Sequence, residues 1–517
     1  MQNFLKKFNR EIHGVIHGFD RIILKGHIGS FYQKNGFYFF LSMEEVKLKD
    51  FKEYVQKVTG QIKSHVNKVV SETGAYTEYL NSPKDSKDGI AKRVAKERGI
   101  NEGLVCVLSA VEPCKALSVQ YNAGNKKLEK KSGFRKCLHY YFYYIDRDFG
   151  LMHVRLQTWF PFGIQIYLNG REYLKKQLDK EGIKYTSYQN SITWTEDPKR
   201  AQQLSDKLQE KKLHKVFDRF AERVNGFLPR IKEVFNGHAY KWYIEECEYA
   251  TDIMFKNRQS LEGLYPYFVE YASLCQVGEN IFTFFGRKVH GLYQGEAVSD
   301  RKHFFGQGFR VKFTLDKNSV KLYDKWSNLR IETTINNASA FKVRNPNNKK
   351  EWSDMGKAIS NLYRYAEVSK GCNMRYIDSL SNVDNNDNID AKIEKLSNRT
   401  EVKLSSKSKK PRQYPGFNLL SSVTTKVLNA ILSGEFAIRG FRNKDLRQKL
   451  KNLGWFVNDS SLSIKKMAGK ITRLIAKLRA HKIITKLNKT CRYRVTKTGE
   501  KIVSRIIMFK KFEMKTC

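Results

Sequence analysis

The sequence lacks several features that would assign it quickly to a known class of protein. It contains no apolar run of about 18 residues or more, the length that a membrane-spanning helix needs, so we expect no membrane segment. Its eight cysteines are scattered without a Cys-x-x-Cys pair, which argues against a zinc site and favours a reducing, cytoplasmic location. The phosphate-binding pattern Gly-x-x-x-x-Gly-Lys-Ser/Thr is also absent, so a P-loop is excluded.

Acidic residues are scarce relative to basic ones. Lys and Arg together number 95 and Asp and Glu 52, which gives a formal net charge of +43. Because such an excess causes self-repulsion in the folded chain, a polyanionic partner is its natural explanation. We expect DNA as this partner, with structured RNA as the alternative. A homo-oligomer is also compatible with the sequence.

The body of the chain carries signals for both strands and helices. Residues 18–26 and 104–109 predict strands, and residues 138–145 and 152–159 predict a hairpin. Residues 240–255 are interpreted as a helix. Strands that are followed by helices predict an α+β body with antiparallel strands rather than a doubly wound sheet.

Composition divides the chain into four consecutive ranges. Residues 1–197 are predicted to form an α+β domain, and residues 198–380 a helical region followed by a second strand-rich region. Residues 381–415 are poor in apolar residues and rich in Asn, Asp, Ser and Lys, which is typical of a linker. Residues 416–517 are predicted to form a separate C-terminal domain.

This C-terminal domain has the clearest local pattern. Its predicted elements are a helix over 423–432, a short strand over 436–441, a helix from Asn443, a helix over 463–481, strands over 483–487 and 492–496, and a closing helix from 498. The order of elements resembles that of a winged helix-turn-helix domain, as does the hairpin-to-helix junction YRVTKTG at 493–499. The alternative is a small helical bundle with a solvated basic face.

The winged-helix resemblance implies that the third helix enters a major groove and that the hairpin loop contacts phosphate. The apolar stripe expected to pack inward comprises Ile464, Met467, Ile471, Leu474, Ile475 and Leu478. The residues expected to contact nucleic acid are Lys465, Lys466, Lys470, Arg473, Lys477, Arg479, Lys489 and Arg492.

A second motif lies at residues 319–332, which read SVKLYDKWSNLRIE. A strand that ends in Tyr323 and Lys325 turns back into a strand that carries Arg330 and Glu332. This motif resembles a hairpin of rolling-circle replication initiators, which implies Tyr323 as a nucleophile and Glu332 as a metal ligand. The alternative is a charged hairpin in which Lys325 and Arg330 contact phosphate.

Carboxylates from separate elements are candidates for metal binding and catalysis. Asp20 begins a predicted strand, Asp252 lies in a predicted helix and Glu332 lies in a late strand. Phosphoryl transfer with Mg²⁺ or Mn²⁺ needs several such carboxylates close together. The position of Asp20 resembles that of the first-strand acid in RNase-H-like transposases, which implies a catalytic role. The alternative is that these acids are surface or ion-paired groups.

The one-letter blocks LVCVLS at 104–109, MHVRLQTWFPF at 152–162 and LRIETTI at 329–335 resemble a group of bacterial proteins, and this resemblance implies no activity. The functional hypothesis is a nucleic-acid-binding protein of mobile-element or replication type. It would be a metal-dependent nuclease, transposase or replication initiator that cleaves or joins DNA strands. The alternative is a non-catalytic DNA- or RNA-binding regulator or a ribonucleoprotein scaffold.

Overall fold

The structure is a computed structural model in which strands and helices form two compact units. The residues described are 1–33, 35–82, 85–276, 279–289, 293–304, 308–345, 351–381, 386–402, 411–437, 439–456, 463–488 and 490–513. The first unit comprises Met1–His13, Phe255–Ile331 and Gly371–Cys517, and the second comprises Gly14–Met254 and Glu332–Lys370. Each unit is therefore assembled from separate stretches of chain, whereas the four ranges expected from composition are consecutive.

The strands are numbered in chain order. They are β1 (Ile12–Ile28), β2 (Tyr76–Tyr79), β3 (Gly103–Asn122), β4 (Lys127–Asp146), β5 (Gly150–Gln157), β6 (Ile164–Asn169), β7 (Tyr185–Tyr188), β8 (Ser191–Thr195), β9 (Tyr240–Phe255), β10 (Ala297–Phe304), β11 (Gly308–Leu315), β12 (Asn318–Lys325), β13 (Asn328–Ile335), β14 (Lys342–Arg344), β15 (Trp352–Asp354), β16 (Thr400–Val402), β17 (Arg412–Tyr414), β18 (Ile484–Lys486) and β19 (Tyr493–Val495).

The α-helices are numbered in the same way. They are α1 (Gln2–Lys7), α2 (Gly36–Met43), α3 (Phe51–Thr73), α4 (Lys87–Glu97), α5 (Gly170–Glu181), α6 (Pro198–Asp206), α7 (Leu213–Val224), α8 (Leu228–Val234), α9 (Arg258–Cys275), α10 (Glu279–Phe284), α11 (Leu362–Leu380), α12 (Asn386–Ser397), α13 (Ser422–Ile431), α14 (Gly434–Ala437), α15 (Asn443–Asn452), α16 (Ile464–Ala480) and α17 (Lys497–Glu513).

The second unit is built on a large mixed sheet. Its neighbouring strands follow the order β13, β9, β1, β6, β5, β4, β3, β2, with residues 332–335 of β13 in this unit. The strands β1 and β6 are antiparallel, and Arg21 lies opposite Asn169. The edge strands β2 and β3 are parallel. This order places β1 between strands that are distant from it in the sequence.

Helices cover this sheet through apolar cores. In α4, Ala91 and Val94 are buried against Val105 and Leu108 of β3. The helices α5 and α6 share another core with β1 and β9, formed by Ile16, Leu174, Leu178, Ile192, Ala201, Leu204 and Met254. Asn169 begins α5 by accepting hydrogen bonds from the first backbone amides, a favourable N-cap. The strand β6 therefore leads directly into a helix that packs back on the sheet.

The first unit contains neighbouring strands in the order β10, β11, β12, β13, with residues 328–331 of β13. Its C-terminal part contains α13 to α17 and the antiparallel pair β18 and β19 around a common apolar core. In α16, Ile471, Ile475 and Leu478 are buried, while Met467 and Leu474 pack beside them. Ile464 is 70% exposed, so its place in the predicted stripe was wrong. It is the first residue of α16, before the helix meets the core.

Most predictions of individual helices and strands are confirmed, and two are wrong. The strands over 18–26 and 104–109 and the hairpin of β4 and β5 are present. Residues 240–255 form the strand β9 and not a helix. The range 381–415 was predicted to be a linker, and this stays a prediction; its described part contains α12, whose Leu396 joins the C-terminal core. The expected strand over 436–441 is the short helix α14 followed by a single bridge from Phe441 to Tyr493.

Candidate metal centre

Three carboxylates converge in the second unit. Asp20 lies on β1, Glu248 on β9 and Glu332 on β13, and these strands are neighbours in the sheet. One oxygen from each carboxylate lies within 4.8 Å of the other two. Asp20 and Glu332 are almost completely buried, and the side chain of Glu248 is 12% exposed. Two of the three predicted acids, Asp20 and Glu332, are therefore together, and Glu248 is the third member.

Neighbouring polar groups orient these carboxylates. The side-chain amide of Asn190 donates to both oxygens of Asp20, at 2.7 and 2.6 Å. Asn190 lies between β7 and β8, outside the large sheet. The hydroxyl of Thr334 donates to Glu248 at 3.4 Å. Hydrogen bonds to the ligating side chains are typical of metal sites, because they fix the direction in which each oxygen points.

Arg21 provides positive charge beside the cluster. Its guanidinium pairs with Glu246 and, at 3.1 Å, with Glu248. Burial disfavours the charged form of Arg21, but Glu248 and Glu246 outweigh this effect and raise the pKa of Arg21 above its ordinary value. The Arg21 side chain is 38% exposed, so it lies at the solvent side of the cluster.

The three carboxylates of the cluster lie close together beside the Arg21 guanidinium. Like charges so close together in a buried site disfavour ionisation unless a cation or protons compensate them. Carboxylate oxygens are the ligands that Mg²⁺, Mn²⁺ and Ca²⁺ prefer. Asp20, Glu248 and Glu332 could therefore hold a divalent cation, with Asn190 and Thr334 as the supporting shell.

Asp252, the third predicted ligand, does not belong to this cluster. Its carboxylate pairs at 3.0 Å with Arg171, and both side chains are fully buried. Asp252 follows Glu248 by four positions on β9, and an extended strand separates such residues by roughly 13 Å. One strand therefore cannot present both side chains to the same small site. The prediction of Asp252 as a metal ligand is corrected on this ground.

The residue that sequence reasoning missed is Glu248. The interpretation of 240–255 as a helix hid its position beside Asp20. A signal was present at the start of the segment, where Tyr240, Trp242 and Ile244 are buried and alternate with more exposed residues. Continuing this alternation would have identified a strand and drawn attention to the acidic run at Glu246 and Glu248.

The residues of the hairpin formed by β12 and β13 have a different environment from the one predicted. In the first unit, Tyr323 is 7% exposed, and the Arg310 guanidinium lies 4.6 Å from its ring centre. The Lys325 ammonium lies 5.7 Å from the same ring. Arg330 is fully buried, which does not fit the predicted contact with phosphate at the surface. The role of Tyr323 as a nucleophile and that of Lys325 as a phosphate contact stay predictions.

Most basic residues of α16 are exposed as expected, with Lys477 the clearest exception. Those at the surface are Lys465, Lys466, Arg473 and Arg479, and Lys470 is half-buried. Lys477 donates at 2.9 Å to the Gly416 carbonyl and lies 4.0 Å from the Phe417 ring centre. Burial lowers the pKa of Lys477. Lys477 therefore has a packing role that its sequence position did not indicate.

Lys489 and Arg492 were predicted to contact nucleic acid from the hairpin loop, and of these Arg492 lies within the described residues. Arg492 donates to the carbonyl oxygens of Gly440, at 3.1 Å, and Arg439, at 3.3 Å. These bonds tie β19 to the segment that precedes α15. Lys489 lies outside the described residues.

Comparisons of the chain with protein-family models, with curated proteins and with solved structures give no match. Over the described part of the chain, every helix is too short or too polar to cross a membrane. The carboxylate cluster of Asp20, Glu248 and Glu332 is therefore the feature from which a function can be inferred.

Proposed function

We propose that this protein cleaves or transfers phosphodiester bonds of nucleic acid with a divalent metal held by Asp20, Glu248 and Glu332. The observation that carries the proposal is the convergence of these side chains from three neighbouring strands. The net charge of +43 supports a polyanionic substrate. DNA is the preferred substrate in this proposal, and RNA is the alternative.

The proposed mechanism assigns a role to each side chain. A bound Mg²⁺ or Mn²⁺ would polarise the scissile phosphate and lower the pKa of the attacking water. Asp20, Glu248 and Glu332 would hold and orient the cation, and Asn190 fixes Asp20 through both carboxylate oxygens. Arg21 holds Glu248 and keeps positive charge at the more exposed side of the site, where a phosphate would enter.

The C-terminal region would supply a second contact with DNA. We propose that residues 422–513 form a winged helix-turn-helix domain in which α16 is the recognition helix. The order of α13, α15, α16, the hairpin of β18 and β19, and α17 supports this proposal. So do the exposed basic residues Lys465, Lys466 and Arg473 on α16.

The test is a cleavage assay on labelled single-stranded, duplex and branched DNA, and on RNA, with Mg²⁺ or Mn²⁺. Glu332→Gln and Glu248→Gln keep the side-chain shape but remove the charge that holds the metal. We expect cleavage to fall by roughly 100-fold or more in each variant, while nucleic-acid binding stays close to that of the wild type.

Glu245→Gln is the matched control. Glu245 lies on the same strand as Glu248, but it pairs with Lys25 and its side chain is 38% exposed. This variant should cleave like the wild type. A wild-type protein that leaves every substrate intact with both metals would contradict the proposal and favour a non-catalytic binder. Full activity of Glu332→Gln would contradict the proposal that these carboxylates hold a catalytic metal.

A further inference from the structure

A cavity of about 640 Å³ lies in the second unit beside the carboxylate cluster. Asn190 connects the two, because it lines the cavity and donates to both oxygens of Asp20. Asn169 and Gln189 contribute further amide groups to the wall. A volume of several hundred Å³ with a few placed polar groups is typical of a site for a small organic ligand.

Aromatic rings form another part of the wall. His153 of β5 lies opposite Tyr143 of β4 and opposite Tyr167 of β6. The rings of His153 and Tyr167 are stacked, with centres 5.1 Å apart and planes 5° apart. The Tyr143 ring centre is 4.9 Å from that of His153. Three neighbouring strands thus present adjacent rings to the cavity, and such rings favour a flat aromatic ligand.

His153 also offers a polar atom to a ligand. Its Nδ1 is buried, and within the described part of the chain it has no hydrogen-bond partner. Burial lowers the pKa of His153 to about 4, so the ring is neutral near pH 7. Leaving a buried polar atom unpaired has an energetic cost, which a ligand that bonds to this nitrogen would remove.

We infer that the cavity binds a nucleobase of the strand whose phosphate lies at Asp20, Glu248 and Glu332. This inference rests on the proposed function. The nucleobase would be the part of the proposed nucleic-acid substrate that the cavity beside the carboxylates recognises. A nucleobase combines a flat aromatic face with ring-edge donors and acceptors, which the tyrosine and histidine rings and the amides of Asn169, Asn190 and Gln189 complement.

Occupation of this cavity restricts the form of the substrate. A base inside a regular duplex is stacked and paired, so it must leave the helix or belong to a single-stranded segment to enter. The protein should therefore prefer single-stranded or locally unpaired nucleic acid at the reacting phosphate. The neighbouring phosphate would lie near Arg21 at the solvent side of the carboxylates.

The test measures binding of single nucleoside monophosphates to the full chain by saturation-transfer NMR in the presence of EDTA. The wild type should transfer saturation most strongly to the protons of the base. Tyr167→Leu removes a wall of the cavity, and Ala95→Trp fills it from α4 without deleting a buried ring. Both variants should weaken binding by about tenfold or more, because they remove or block the stacking surface.

Tyr79→Leu is the control, because Tyr79 is 52% exposed and does not line the cavity. Its affinity for monophosphates should equal that of the wild type. The inference is overturned if folded wild-type protein gives no transfer to any base, or if Ala95→Trp binds as well as the wild type. Because EDTA removes divalent metal, this binding test does not depend on the metal that the cleavage assay requires. Binding without any cleavage would reject only the proposed function, and cleavage without binding would reject only the cavity assignment.

Discussion

Asp20 and Asp252 are both buried aspartates of the second unit, and they differ in the groups that compensate their charge. Asp252 has a dedicated partner in Arg171, whose guanidinium also donates to the Ala250 carbonyl at 3.1 Å. Asp20 has amide donors from Asn190 and two further carboxylates nearby. The first arrangement is a structural ion pair, and the second is a cluster of three carboxylates of the kind that can hold a cation.

Gly18 on β1 makes room for the Ser205 side chain of α6 beside the Arg171 guanidinium. A Cβ atom at this position would lie 2.2 Å from the Ser205 hydroxyl and 3.5 Å from the Arg171 guanidinium. The first distance is too short for any side chain to fit without movement. A glycine on β1 therefore allows α6 to approach the sheet closely.

The buried pair predicts a large loss of stability when one partner is removed. Asp252→Asn leaves the Arg171 charge buried without its counter-charge, so the free energy of unfolding should fall by about 3–5 kcal/mol. Urea denaturation followed by circular dichroism measures this change. Glu181→Gln is the control, because Glu181 and Arg200 form a partly exposed pair whose loss should change stability much less than the loss of the buried pair. Equal destabilisation in both variants would contradict this view of Asp252.

At the level of elements, the strand β9 decides whether the carboxylate cluster can form. It lies between β1 and β13, so Glu248 is placed between Asp20 and Glu332. The second half of β9, from Ala250 to Phe255, is buried throughout, and this removes the alternation that identifies a strand. A local pattern could therefore indicate the first half of β9 as a strand but not the second half.

The sequence was sufficient to predict a strand or hairpin where neighbouring residues alone mark that element. The glycine-bounded strand over 18–26 and the aromatic hairpin of β4 and β5 were predicted correctly, because alternation and turn residues mark them. Asp20 and Glu332 were selected because each lies on such a strand. Their convergence depends on β1 and β13 both flanking β9, although the three segments are far apart in the sequence. A single sequence contains no local pattern that specifies this pairing.

The helix α16 carries exposed basic residues that can contact nucleic acid, and it also carries Lys477, which packs against Gly416 and Phe417. Lys466 and Arg473 are exposed, so replacing both with Ala should weaken DNA binding without unfolding the chain. The slope of log affinity against log salt should decrease by about 1 for each phosphate contact removed. Filter binding at several salt concentrations measures this slope.

Two further variants make the test of α16 specific. Lys68→Ala serves as a control outside the proposed winged helix, because its side chain is 72% exposed on α3, and it should leave the slope unchanged. Lys477→Ala should instead lower thermal stability, since it removes the contacts with Gly416 and Phe417. An unchanged slope in the Lys466 and Arg473 double variant would reject α16 as the recognition helix.

For the whole molecule, a net charge of +43 and a set of buried neutral groups together determine how stability responds to acid. His17 and His139 are 6% and 2% exposed. Burial, together with nearby positive charges such as Lys370, lowers the pKa of His17 to about 3. Burial and Arg155 lower the pKa of His139 to about 4. In the folded state, both histidines therefore resist protonation at mildly acidic pH.

The two histidines predict that stability falls as the pH drops from about 6.5 towards 4. In that window the unfolded chain, with histidine pKa values of about 6.5, binds protons that the folded chain does not. The stabilising contribution is thus complete above about pH 6.5. It decreases on acidification by about 1.4 kcal/mol per pH unit for each histidine. Urea titrations at pH 7, 6 and 5 measure this slope.

A histidine variant identifies the source of the slope. The neutral His139 ring donates from Nδ1 to the Cys137 carbonyl at 3.0 Å, and the amide of Asn can replace this donor without binding a proton. His139→Asn should reduce the slope of stability against pH by about 1.4 kcal/mol per unit. His214→Asn, at an exposed position, should leave the slope unchanged. If His139→Asn kept the wild-type slope, the lowered pKa of His139 would be rejected as a source of the acid sensitivity.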